Sequence, residues 1–409
     1  MQTFPFKTNV FAPQDNPSRT ASLYGDRHAD VVIVGGGIVG LSCAYTLREA
    51  GLDVAVVERE HVGFGSSGRH FGLLMPHFWE FEGDQAETLV AWSQSCLDEI
   101  EALVAREDID CDFRRAEFHM PILHPDDGGG KVPDFVDWYV QAGISARFDM
   151  SDQVSCVPFK TYGAMVLENQ VTVDAYRLMR GMRKAVLDQG VHLYEGSQVE
   201  SIEGGAEAVV KTAEGSLRAR KVILALNGYS GQFSFLQQYV SPMHTHAIAT
   251  EALDDATIES LCCASENIVV DFFPEEGRPQ YYQRLRKDRC FYFGGGVPIA
   301  APAPHQLAPD RDNEKFRKIH AEMIRRHPAL EGVPIRAAWG GPIAMTDTNL
   351  PIISHLPEKE NVIVAITGNG QGMGLGTNAG RLVAGLVLGK DKLDAPTRAF
   401  LGACERFPR

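Results

Sequence analysis

Apolar residues gather along this chain in short unbroken runs, and several runs stop at glycine or at an acid. Val31–Val34, Val54–Val57, Val222–Leu226 and Val362–Ile366 have no polar interruption, the pattern of strands covered on both faces in a parallel sheet. Between them, apolar positions recur at helical spacing. Leu41–Ala50 follows the first run. Gln85–Arg106 presents Leu89, Trp92, Cys96, Ile100 and Leu103 on one face, and Val173–Gln189 presents Tyr176, Met179, Met182, Val186 and Leu187. Glu314–Arg326, ended by Pro328, and Thr377–Leu388 complete the predicted helices. Short strands are expected at Val191–Leu193, Val199–Ile202, Ala208–Thr212, Leu217–Ala225 and Ile335–Trp339. From Tyr239 to Pro298 strand patterns dominate, at Ala247–Thr250, Ile268–Phe273, Gln280–Arg286 and Cys290–Phe293. They predict a separate antiparallel sheet. Gly128–Gly130 reads as a turn or tip.

The first apolar run opens into Gly35, Gly37 and Gly40, spaced G-x-G-x-x-G ahead of a helix. Gly35 permits a tight turn, Gly37 lets the backbone approach a pyrophosphate, and Gly40 lets the helix lie close to the strand. The second run ends at Glu58, where an acid meets a ribose hydroxyl. Together they predict a dinucleotide site; the plainer alternative is a glycine-rich turn without ligand. Gly63–Gly72 follows, a small-residue loop that can approach phosphates and a ring system closely. Thr367–Gly376 repeats the arrangement, a buried strand passing through glycines into a helix. Such a helix start favours negative charge, as a reduced flavin carries, whereas a nicotinamide enzyme has no use for it there.

Composition narrows the partners. The chain has 409 residues, 44% of them hydrophobic, and a net charge of −14. That is ample for a large core and two domains, and it argues against nucleic acid, which needs a basic face. The eight cysteines are scattered without a C-x-x-C, which suits free thiols in a reducing compartment. Residues 1–28, with Pro5, Pro13 and Pro17, read as an irregular arm rather than a leader. A cytoplasmic protein without a membrane span is expected. No metal site is expected; His244 and His246 alternate on one strand face with no third ligand in step.

With these motifs in order, the chain resembles the FAD-dependent amine and amino-acid oxidoreductases related to D-amino-acid oxidase, glycine oxidase and sarcosine oxidase. It looks most like their gamma-glutamylputrescine oxidase-like branch. The matching stretches are Asp30–Glu58, Gly63–Gly72, Val222–Tyr229, Ala249–Glu251, Tyr281–Arg284, Phe293–Gly295, Trp339–Thr346 and Gly368–Gly385. The resemblance implies an α/β (α+β) two-domain fold, a Rossmann-like FAD-binding domain beside an antiparallel β-sheet substrate domain. On that basis 29–115, 170–240 and 335–409 are expected to form the FAD-binding part, and 116–169 and 241–334 the substrate part.

The resemblance also implies site residues. Gly35, Gly37, Ile38, Val39, Gly40, Glu58 and Arg59 are expected at the ADP half of FAD. Gly65, Ser66, Ser67, Gly68, Arg69 and His70 are expected along the pyrophosphate and ring, with Val199, Asn227, Gly228 and Gly341 nearby. Gly370, Gly372, Met373 and Gly374 are expected to face the reduced-ring anion, with Gln371 and Leu375 also at the cofactor. The stretch that carries a cysteine in covalent-flavin relatives has none between Trp339 and Asp347, so non-covalent FAD is expected. Relatives often read G-A-S-G-R-N-G-G where this chain has Gly65-Ser-Ser-Gly-Arg-His70-Phe71-Gly72, which makes His70 a pocket candidate. Tyr281, Tyr282, Arg284, His244 and His246 are the others, with Arg284 a possible clamp for a substrate carboxylate. The implied reaction is hydride transfer from the carbon beside an amine nitrogen to flavin N5, with the imine hydrolysed afterwards. The acceptor is then oxygen or another electron acceptor. Alternatives are a dehydrogenase subunit feeding a quinone or protein, or an NAD-linked dehydrogenase.

Overall fold

The computed structural model describes residues 4–5, 19–75, 86–123, 132–150, 157, 159–261, 267–271, 279–296, 299–300, 313–357 and 359–405. Gly128–Gly130, Phe272, Phe273 and Cys156, Cys262 and Cys263 lie outside the described residues.

The apolar runs pair with one another. Strand Gly25–Val34 lies between Val54–Val57 and Gly215–Leu224, parallel to both. His192–Tyr194 extends the parallel set on one side and Lys359–Ile366 on the other. Ile352–Leu356 closes one edge antiparallel, and the hairpin Val199–Glu203 with Ala208–Thr212 flanks Gly215–Leu224. Both faces are covered, so the strands need no polar face. Helix Ile38–Glu49 is buried along most of its length, and helix Ala379–Leu388 lies against it. A β-carbon at Gly380 would come within 2.3 Å of the Ser42 carbonyl oxygen, so glycine lets these helices touch. Ser42 Oγ bridges them, accepting from the Gly380 N–H at 3.0 Å and donating to the Thr377 carbonyl. Helix Ala175–Asp188 is capped by Asp174, whose Oδ1 accepts from the Arg177 N–H at 3.0 Å.

The second sheet has ten strands and is mostly antiparallel. Its longest pairing joins Ser241–Ala252 to Ile335–Met345. Cys290–Gly296, Gln280–Leu285, Ile268–Val270, Arg114–Pro121 and Ala164–Thr172 follow in order. Helix Asn313–Arg326 covers one face through a buried bidentate pair, with Arg326 Nη1 and Nη2 at 2.6 and 2.7 Å from the Asp271 carboxylate. Among the described residues no helix is long and apolar enough to cross a membrane.

Three expectations shift. Residues 335–345, expected with the nucleotide-binding part, are hydrogen-bonded into the second sheet, because their register with Ser241–Ala252 is continuous over most of both strands. The first strand begins at Gly25, inside the expected arm, because its first residues pair with Gly215–Ala219. The helix expected at Thr377–Leu388 is preceded by a separate short one, Gly372–Gly376.

Candidate active site

Two clefts open beside the ends of the parallel strands. The first, about 1090 Å³ counted to its mouth, is lined by Gly35–Val39, Glu58, Arg59, Gly65–Ser67, Val199, Asn227, Gly372 and Met373. Its floor is the G-x-G-x-x-G turn. Gly35 has φ +113° and donates to the Val57 carbonyl at 2.9 Å. A β-carbon on Gly40 would lie 1.9 Å from the Gly35 carbonyl oxygen, so the turn closes only with glycine there. The Glu58 carboxylate accepts from the Gly36 N–H at 2.7 Å and from the Glu60 N–H at 2.8 Å. Burial raises the Glu58 pKa, against the opposing pull of those two amides. Ser67 Oγ accepts from the Ile38 N–H at 3.1 Å, so a hydroxyl joins the later loop to the start of the helix.

The second cleft, about 1690 Å³ counted the same way, reaches along the second sheet. The two share Ser66, His70, Ile343 and Gly370. Arg69 braces this seam. Its Nε donates to the Gly65 carbonyl at 3.3 Å, Nη1 to the Gly340 carbonyl at 3.1 Å and Nη2 to Tyr229 Oη at 2.8 Å. Trp339 Nε1 donates back to the Arg69 carbonyl at 3.0 Å. His70 stands at the seam, its Nδ1 accepting from the Gly72 N–H at 3.0 Å. Burial, with the Arg284 charge in second place, lowers its pKa to about 3.

FAD fits these residues on the structure's own evidence. Glycine backbone forms the floor of the first cleft, and polar atoms without a partner among the described residues turn up along both: Arg59 Nε, Asn227 Oδ1, His70 Nε2 and Gln371 Oε1. Buried polar groups are ordinarily paired, so this set suits a polar ligand. No cysteine lines either cleft among the described residues.

Not every expected residue lies there. Gly341 and Gln371 line the second cleft, with Arg69. Gly40 and Gly68 act by packing, Gly68 against the Gly63 carbonyl. Gly228 packs its α-carbon on Pro342, and Leu375 is a core residue. Gly374 is buried in the Gly372–Gly376 helix. That helix has five residues, so little macrodipole stands behind the second glycine-rich turn, and it brings individual N–H groups instead.

In the second sheet Tyr282 faces the cleft, whereas Tyr281 stacks on Phe293 at 5.4 Å on the opposite face, beneath Arg326. Arg284 is 2% exposed and lines neither cleft; it donates to the carbonyls of Val173 at 3.1 Å and Gly72 at 3.4 Å. His244 and His246 share a strand face but part in role: His246 lines the second cleft beside Met243, Thr245 and Ala247, its ring edge-on to Phe316 at 5.7 Å, whereas His244, its ring 6.3 Å from that of His246, lines neither cleft. Phe71, Tyr229, Thr245 and Trp339 were not singled out. The alternation of Trp339, Gly341, Ile343 and Met345 along one strand face was the available signal for that wall.

Known proteins resemble this chain in sequence and in fold. The sequence pattern of the DAO family, described as FAD dependent oxidoreductase, matches residues 30–386. Gamma-glutamylputrescine oxidoreductase of Escherichia coli (strain K12) is 28% identical over 95% of this chain and 89% of its own length. Glycine oxidase of Pseudomonas putida is 26% identical over 91% of this chain and 94% of its own. Among solved structures, glycine oxidase from Geobacillus kaustophilus superposes with a TM-score of 0.75 at 20% identity, covering 90% of this chain and 96% of that one. L-amino acid deaminase from Proteus vulgaris with its specific insertion sequence deleted gives 0.74 at 20% identity, covering 96% and 99%. With a family match across most of its length and a cleft suited to non-covalent FAD, this chain belongs to the DAO family of FAD-dependent oxidoreductases.

Proposed function

We propose that the protein oxidises the carbon–nitrogen bond of an amine or amino acid, with the substrate in the second cleft. The observation that carries this reading is the seam: a glycine-floored dinucleotide cleft and a separate, largely apolar cleft meet at Ser66, His70, Ile343 and Gly370. When bound, FAD supplies the two-electron acceptor for a hydride leaving the carbon beside nitrogen, while the nitrogen lone pair closes the C=N bond and water later hydrolyses the imine. Relatives named for gamma-glutamylputrescine, glycine and L-amino acids support that class.

The chain's own residues act around this event. Gly35–Val39 and Glu58 bind the nucleotide end. His70, neutral over the working pH range, offers a hydrogen bond from Nε2 and takes no proton from the amine. The nitrogen must be neutral to release hydride, and water takes its proton. Phe71, Tyr282 and Trp339 exclude water from the reacting carbon. Arg69 and Trp339 hold the seam in shape.

The test is anaerobic mixing of the holoenzyme with a panel of polyamines, N-substituted amino acids and D- and L-amino acids. Bleaching of the flavin by at least one amine is expected. A flavin that no amine bleaches refutes the reading. Air re-oxidation of the bleached enzyme then separates an oxidase, which releases peroxide, from a dehydrogenase.

A further inference from the structure

The second cleft has a polar end at the seam and an apolar wall away from it. His70 and Gln371 mark the polar end, each with a buried polar atom lacking a partner among the described residues. The wall is built from Phe71, Tyr282, Trp339, Met243 and Val270. Phe71 and Tyr282 meet edge to face, ring centroids 4.7 Å apart at 69°. A β-carbon at Gly294 would lie 2.4 Å from the Tyr282 ring, so this glycine lets the ring lie flat along its neighbouring strand. Tyr282 Oη is engaged by Thr245 Oγ1 at 3.1 Å and by the His246 carbonyl at 3.3 Å. What Tyr282 presents to the cleft is therefore ring, not hydroxyl.

The guanidinium donors near this wall are turned toward protein oxygens. Each of the three Arg69 nitrogens donates to a protein oxygen, and Arg284 turns to the backbone of Val173 and Gly72. A carboxylate brought against the rings of Phe71, Tyr282 and Trp339 loses hydration there and meets ring faces, with the Tyr282 hydroxyl and the Trp339 N–H already engaged. An aliphatic or aromatic group placed there gains by leaving water.

We propose that the second cleft selects amines bearing a bulky apolar substituent, arylalkyl or branched alkyl, with the nitrogen toward the seam and the substituent against Phe71, Tyr282 and Trp339. This rests on the amine-oxidising reading above and narrows its substrate class.

The experiment uses holoenzyme and matched compounds. Anaerobic flavin reduction is followed with N-methylphenethylamine, N-methylphenylalanine, which adds a carboxylate to the same skeleton, and putrescine, which lacks the ring. N-methylphenethylamine is expected to be favoured over both by about tenfold or more in reduction efficiency, the scale on which a hydrophobic pocket discriminates. Phenylethanol and phenylacetate, which carry no amine, are titrated separately against the flavin absorbance of the oxidised enzyme. The alcohol is expected to bind tighter, again by about tenfold. Tyr282→Ser should bring both ratios toward one, while Tyr282→Phe keeps them. Preference for N-methylphenylalanine or putrescine, or tighter binding of phenylacetate, overturns the proposal and leaves the amine reading standing. No reduction by any amine, with phenylethanol still bound, overturns the amine reading and the proposal that rests on it.

Discussion

The Gly72 N–H donates to His70 Nδ1 at 3.0 Å, which leaves the proton of the neutral ring on Nε2. A backbone amide can only donate, so the tautomer is fixed by the chain itself. His70 therefore serves the seam as a donor. His70→Phe should lower kcat/KM by roughly tenfold to a hundredfold, the cost of leaving a buried acceptor unpaired. His70→Gln, which keeps a donor, should recover part of it. The pH profile of kcat/KM should keep its shape in both variants. A limb near neutrality that disappears in His70→Phe would instead make His70 a base.

Stability should fall on mild acidification. Burial, with the Arg326 charge second, lowers the His327 pKa to about 3, and His70 is lowered alike. The unfolded chain takes up these protons near its ordinary value of about 6.5. Stability is then complete above about 6.5 and is lost as pH falls toward 3, by up to about 1.4 kcal/mol per pH unit for His327. Thermal unfolding between pH 7.5 and 5 measures this. His327→Gln should show a shallower decline than the parent, and equal slopes would contradict the assignment.

Gly40→Ala should yield protein poor in flavin. Its β-carbon would meet the Gly35 carbonyl oxygen at 1.9 Å, and the turn must open to admit it. Overpacking of this kind costs about 1–3 kcal/mol, or roughly fivefold to a hundredfold in affinity if the distortion falls on the cleft. Isothermal titration of apoprotein with FAD reads this directly; unchanged affinity would mean the helix shifts away without moving the turn.

Arg284→Ala should act on structure rather than on substrate charge. The guanidinium holds the carbonyls of Val173 and Gly72, next to the His70 loop. Losing it should cost about 1.5–3 kcal/mol of stability and reduce activity equally on amines with and without a carboxylate. Selective loss on carboxylated substrates would restore the clamp expected from sequence.

The parallel strands and the glycine turn were legible because uninterrupted apolar runs and a required left-handed glycine leave few alternatives. Glu58 was legible for the same reason: the strand that carries it has one register beside Gly36. Strand phase was not. His244 is offset by one residue from Met243 and Thr245, and the strand is buried or half-buried on both faces there, so polarity gave no clue that His244 would miss the cleft while Met243, Thr245 and His246 line it. Arg284 has the phase of Tyr282 but lies farther along the strand, behind Gly72. The sheet to which 335–345 belongs depends on a partner strand far away in sequence, which local pattern does not encode.

Arg69 and Trp339 also set an order for biosynthesis. Their hydrogen bonds join residues 270 and 271 positions apart, from the loop beside the first cleft to a strand near the end of the chain. A ribosome has to deliver the chain past Gly340 before this loop gains its brace. The brace is therefore a late acquisition in the protein's making, and an interrupted chain that already carries every glycine of the first motif still lacks it.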